Sequence, residues 1–180
     1  MFENPLSDPT TAPQTVKAIL GPRLLAQIEQ PRLSLGDTAG RMVFWSKYCS
    51  LRRQDRPSRD RAADGMIIVN NSWRIRATGG YTLGNYLFPR SSPPDRLFLV
   101  HEYVHVLQWR VEGASFLWQY ARAGLWNWPK CDDQGWPYEG NTANRYEKQA
   151  MQVEACYRYW PDLPDPWLLN GPVVPTAAIG

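Results

Sequence analysis

The chain has 180 residues, 43% of them apolar and nine of them Trp, which is enough for one domain with a real core and excludes a disordered chain. A formal net charge of +3 is too small to imply nucleic acid by itself. The apolar runs are too short to span a bilayer, and Met1-Phe2-Glu3-Asn4-Pro5 lacks the basic and apolar regions of a signal peptide. Cys49, Cys131 and Cys156 are an odd number at wide spacing. They suit a reduced compartment and form no zinc knuckle. A cytoplasmic protein is expected, with export by a signal-independent secretion system as the alternative.

In chain order, residues 1–14, rich in Pro and Thr, read as a flexible lead, 15–160 as a single domain, and 161–180 as a tail that packs back through Trp167 and Leu168. Val16, Ile19, Leu20, Leu24, Leu25 and Ile28 have helical spacing, interrupted by Gly21-Pro22, so a broken helix is expected. Met42–Tyr48 fits either a strand or a helix, and Arg52–Arg61 a charged loop. Met66–Val69 and Trp73–Ala77 read as a hairpin around Asn70-Asn71. Tyr81–Phe88 offers a further strand, kinked at Gly84-Asn85. Ser92-Pro93-Pro94-Asp95 signals a helix start. That helix should run from about Pro94 to Trp109, with a continuation through Tyr120. Residues 126–140 form a loop, Asn141-Thr142 opens a last helix, and Pro161 ends it after Trp160.

His101-Glu102-Tyr103-Val104-His105 carries the chemistry. These are the only two His in the chain, and they stand four apart on an expected helix, where both imidazoles reach one metal ion. Glu102 points to the water on that ion and has the place of a general base. Leu97, Leu99, Val100, Val104, Val106 and Leu107 make the helix a core element, and imidazoles on a buried face need partners. The third ligand must come from elsewhere. Glu147 and Glu154 lie seven apart on the last helix, nearly on one face. Glu147 is preferred, because Ala150 one turn on allows close helix approach. Glu154 is the alternative ligand, or a carboxylate that orients a ligating His. Cys156 fits packing better.

With Gln108, the motif reads HExxHxxQ, and it is followed later by Tyr146-Glu147-Lys148-Gln149-Ala150. Together they resemble the gluzincin branch of the zincin metallopeptidases. More narrowly, with Thr82-Leu83-Gly84-Asn85 ahead of them, they resemble small bacterial zincin-like domains of the DUF4157 type and their Vgr- and Rhs-related relatives. The resemblance covers roughly residues 66–160. It implies His101, His105 and Glu147 as ligands to Zn2+, Glu102 as catalytic base, and an association with contractile injection systems.

Other positions carry weaker signals. Tyr81–Phe88 is a candidate edge strand for an extended peptide, or a purely structural strand. Tyr138, Tyr146, Tyr157, Tyr159 and Arg145 are candidate oxyanion donors, Tyr157 first. Gln108 is either a residue that orients a ligand or one that packs. Trp126 and Trp128 are candidate cleft walls. The basic stretch from Lys47 to Arg61 reads as a solvated loop, and nucleic acid is not expected as a partner. The expected architecture is therefore α+β and zincin-like: a small antiparallel sheet packed on the HExxH helix, and a Glu-bearing helix closing the site. The expected activity is zinc-dependent hydrolysis of a peptide or protein substrate. The alternative is a catalytically silent zinc-binding accessory module of a bacterial secretion system.

Overall fold

Ala12, Val16, Leu20, Leu24 and Ile28 recur every fourth residue, and all five are buried. They form the inner stripe of helix α1 (Ala12–Glu29). The computed structural model describes residues 11–29, 35–50, 58–61, 65–70, 80–89, 94–125 and 144–169. As the sequence implies, α1 is broken at Gly21, whose φ of 72° and ψ of 166° are not helical. Glycine reaches this conformation without a Cβ clash, and Pro22 follows as a first-turn residue of the second half.

Helix α2 (Leu35–Ser50) decides the ambiguous Met42–Tyr48 segment as helix. Four short strands follow: β1 (Ser58–Arg61), β2 (Ile67–Asn70), β3 (Gly80–Leu83) and β4 (Tyr86–Pro89). They form one sheet in the order β1-β2-β4-β3.

This sheet departs from the expected one in three ways. The end of the charged segment is a strand and not a loop, because β1 pairs antiparallel with β2 through backbone groups. Charged side chains are compatible with such an edge. Arg59 lays its guanidinium over the Phe44 ring, 4.5 Å from the centroid. Second, the presumed kink at Gly84-Asn85 is a complete reversal. Leu83 pairs with Tyr86 across a two-residue turn, and Gly84 supplies a φ of 60°. Third, the sheet is mixed and not purely antiparallel. The reversal sends β4 in the same direction as β2, and the two pair in parallel. The Trp73–Ala77 arm of the expected hairpin lies outside the described residues.

Alternation along β4 builds two cores. Tyr86 and Phe88 face one way and pack with Val69 and Phe44 of α2. Leu87 faces the other way into the main core, with Met66 and the apolar side of helix α3 (Arg96–Glu112). The main core also takes the stripe of α1 and, from helix α5 (Arg145–Tyr159), Ala150, Val153 and Tyr157. Helix α3 is thus enclosed, and its buried run extends unbroken from Glu102 to Arg110. It ends at Glu112, about a turn past Trp109. Gly113, at φ 58°, caps it and returns its N–H to the Trp109 carbonyl at 2.7 Å. The continuation through Tyr120 is a separate helix, α4 (Ala114–Leu125).

Asn144 caps α5, its side chain accepting from the Tyr146 N–H at 3.0 Å. The chain beyond α5 is tied to the start of α3, where Arg96 donates to Asp165 and to the carbonyls of Pro161 and Leu163. Trp167 packs edge-on against Tyr103, as expected of the tail. Leu168 does not pack inward and stays exposed, and Leu169 is the buried residue instead. Among the described residues, no helix is long and apolar enough to cross a membrane.

The β3–β4 turn is held from two sides. The Asn85 N–H donates to Asp37 of α2 at 2.9 Å. The Asn85 side chain accepts from Arg110 Nε at 2.6 Å, and Arg110 donates onward to the Gln27 carbonyl at 3.1 Å. A Cβ on Gly84 would fall 2.6 Å from the Gly36 carbonyl carbon. Gly84→Ala therefore combines a clash with positive-φ strain, and it should cost about 3 kcal/mol of stability in urea denaturation. An effect below about 1 kcal/mol would mean that α2 and the turn separate easily.

Candidate metal centre

Helix α3 places His101 and His105 one turn apart, and α5 lies along the same face. Between them Glu147 sends Oε2 to His101 Nε2 and Oε1 to His105 Nε2, each at 3.2 Å. The three donor groups lie within 4.8 Å of one another, and together they could hold a metal ion. A tetrahedral shell with bonds near 2.0–2.1 Å separates neighbouring donors by roughly 3.3 Å. The two His–Glu spacings are close to that value.

The far nitrogen of each ring is also engaged. His101 Nδ1 is 3.1 Å from Glu154 Oε2, and Arg158 donates to the other oxygen of Glu154 at 2.7 Å. A carboxylate only accepts, so His101 carries a proton on Nδ1, and Nε2 is the nitrogen it turns to the centre. His105 Nδ1 is 2.8 Å from Gln108 Oε1. Of the two acids offered by the sequence, Glu147 stands at the centre and Glu154 behind His101.

Glu102 is buried beside the pair and outside the ligand group. Its Oε2 accepts from the Thr82 hydroxyl at 2.6 Å, so the carboxylate is held by β3. The cluster opens into a cavity of about 380 Å³. Its walls include Tyr81 and Leu83 of β3, Trp109 of α3, and Phe116 and Tyr120 of α4.

The donor expected at Tyr157 is elsewhere. The Tyr157 hydroxyl donates to the Pro164 carbonyl at 2.7 Å, a buried anchor for the chain end. Tyr146 reaches Glu112 and Gln119, Arg145 meets the same pair, and Tyr159 is exposed. Tyr138, Trp126 and Trp128 lie outside the described residues. The tyrosine at the cluster is Tyr120, its hydroxyl donating to Glu147 Oε1. Burial, reinforced by the Glu147 charge, pushes its pKa well above the usual phenol range, so it stays a donor. The signal for it was the Phe116–Tyr120 spacing, one turn apart on α4, which becomes readable only once Gly113 is seen to turn the chain back. Cys156 is buried and takes no part in the cluster.

Burial opposes the charged form of His101, but hydrogen bonds to Glu147 and Glu154 outweigh it and raise the pKa from 6.5 to about 10. Burial likewise opposes ionisation of Glu147, and the two imidazoles overcome it, holding the acid well below its usual 4.5. Glu154 is also lowered, first by its bond to His101.

The chain matches no protein-family model, no curated protein and no solved structure. The fold and the site together define an α+β protein with a buried His-His-Glu cluster able to hold a metal ion.

The raised His101 pKa means that its contribution to metal-free stability is complete below 6.5 and is lost as pH rises through about 10. The lowered acids contribute above 4.5 and lose their effect as pH falls. Metal-free protein should therefore melt at falling temperature as pH climbs from 6.5 towards 10. A divalent ion has to displace the His101 proton, so loading near neutral pH should release about one proton per site. Calorimetry in two buffers of different ionisation enthalpy measures that number. A value near zero would remove His101 from the ligand set.

Proposed function

We propose that this protein is a zinc-dependent peptidase of minimal zincin type, with His101, His105 and Glu147 as ligands and Glu102 as general base. The observation that carries this reading is Glu102: a buried carboxylate beside the ligand group, outside it, and facing the same cavity. A site built for stability alone has no need of a further acid there, and structural zinc sites are usually closed by Cys or His.

When bound, zinc would supply a Lewis acid that brings the pKa of a coordinated water to about 7 and polarises a carbonyl. The rest falls to the chain. The Thr82 hydroxyl occupies Glu102 Oε2, which leaves Oε1 to take a proton from the attacking water and hand it to the leaving amine. The Tyr120 hydroxyl, kept protonated, is a donor at the cavity side of Glu147 and can serve a developing oxyanion.

Strand β3 is at the sheet edge and lines the cavity, a place for an extended peptide to add as a further strand. The Thr82 carbonyl already accepts from Trp109 Nε1 at 3.2 Å, which fixes the edge against α3. A second opening, between Phe98 of α3 and Arg158 of α5, also reaches His101 and Glu102.

Glu102→Gln should retain about one zinc per chain and lower peptide cleavage by about 10²–10⁴-fold. His101→Ala should lose the metal. The assay is metal analysis beside incubation with a proteome-derived peptide library. No cleavage by wild-type protein, combined with unfolding on metal removal, would replace this reading with the silent zinc-binding accessory module.

A further inference from the structure

We infer that Gln149, which is outside the ligand group and does not line the cavity at the cluster, is a positioning residue. Through Gln108 it fixes which nitrogen of His105 faces the metal, and it takes its own orientation from the break in α1. This rests on the metal reading of the cluster and not on peptidase activity.

The argument starts at Gly21-Pro22. A helical carbonyl normally accepts from the N–H four residues on. The non-helical Gly21 separates the Ile19 carbonyl from that donor, leaving an acceptor in need of a partner at the end of the first half of α1. Gln149 Nε2 supplies it, 2.9 Å from the Ile19 oxygen and 3.4 Å from that of Leu20.

A carbonyl can only accept, so the amide group of Gln149 cannot be reversed. Its NH₂ must face α1, and its Oε1 must face the other way. That oxygen accepts from Gln108 Nε2 at 3.0 Å, and the same nitrogen donates to the Tyr146 carbonyl at 3.2 Å. Gln108 is thereby fixed as well, with Oε1 toward His105 Nδ1 at 2.8 Å. An oxygen there requires His105 to carry its proton on Nδ1. Nε2 is then the nitrogen that faces Glu147, and its lone pair is the one that a metal bound there would take. Gln149 Oε1 and the Tyr146 carbonyl together set the direction of Gln108, and through Gln149 the chain of bonds runs from a backbone break in α1 to the ligand nitrogen on α3.

Three variants and a competition titration of zinc against a chromophoric chelator test this. Gln149→Met keeps length and packing but removes both donor and acceptor. It should weaken zinc binding by about tenfold to a hundredfold, the range for loss of a partner that orients a ligand. Gln149→Glu has an acceptor at both oxygens, so Gln108 keeps its direction. Zinc affinity should stay within about threefold of wild type even if the metal-free protein melts earlier, because an acid then faces the Ile19 carbonyl. Gln108→Met should weaken binding, and adding Gln149→Met to it should weaken binding no further, as for two links in one chain. The inference is overturned if Gln149→Met binds zinc like wild type. It is equally overturned if Met and Glu at 149 weaken binding alike in step with melting temperature, or if Glu alone loses tenfold. Wild-type protein that binds no zinc would instead defeat the metal reading itself.

Discussion

The structure turns on one buried carboxylate shared by two imidazoles. An ionised Glu147 away from water is tolerable only when both oxygens are engaged, and His101, His105 and Tyr120 engage them. That requirement presses α5 against α3 at its first turn. The fully buried Ala150 and Val153 extend the contact along the helices. Lifting α5 away would strand an acid and two rings together, so the core contact and the polar cluster support each other. The same arrangement explains why the site suits a cation: in its absence a proton on His101 neutralises Glu147, and a divalent ion takes the place of that proton.

The remainder of the fold brings β3 to this cluster. Asp37, Asn85 and Arg110 are three buried polar residues whose bonds join α2, the β3–β4 turn, α3 and α1. Buried groups of this kind have strict geometric requirements, since each unmet bond costs about 1–3 kcal/mol. They fix the hairpin against α3 in one register, and a one-residue slip would turn Thr82 away from Glu102. Glycine makes the close approach possible: any side chain at Gly36 would run into Gly84 and the Trp109 ring. The Thr-Leu-Gly-Asn segment ahead of the helix thus has a physical reason, with Thr82 holding the acid and Gly84-Asn85 making the turn that is pinned.

The parts legible in the sequence were those governed by local spacing. His101 and His105 four apart, the break at Gly21-Pro22, and Glu147 as the acid nearest the small Ala150 all follow from helical geometry. Illegible parts depended on chain direction or on distant partners. The reversal at Gly84-Asn85 looks like a kink because two four-residue strands of similar composition flank it, and only the pairing reveals that β4 must run parallel to β2. Tyr120 was missed for a related reason: a continuous helix through Gly113 would carry it away from the site. Tyr157, by contrast, lies on the correct helix, but its hydroxyl is drawn to the Pro164 carbonyl, a partner that no spacing rule identifies.

The two imidazoles are supported unequally, and the inequality follows charge. Behind His101, at the more open side, stands the carboxylate of Glu154, itself paired with the exposed Arg158. Behind His105, in the interior, stands the neutral amide of Gln108, only 2% exposed. The group already holds the carboxylates of Glu147, Glu154 and Glu102. A further acid at position 108 would bury another charge, at a cost of several kcal/mol. An amide orients the ring without adding charge, but unlike an acid it has two different ends. It therefore needs acceptors that tell it which way to point. The Tyr146 carbonyl is one and Gln149 Oε1 the other, the second belonging to a chain of glutamines that reaches back to a broken helix.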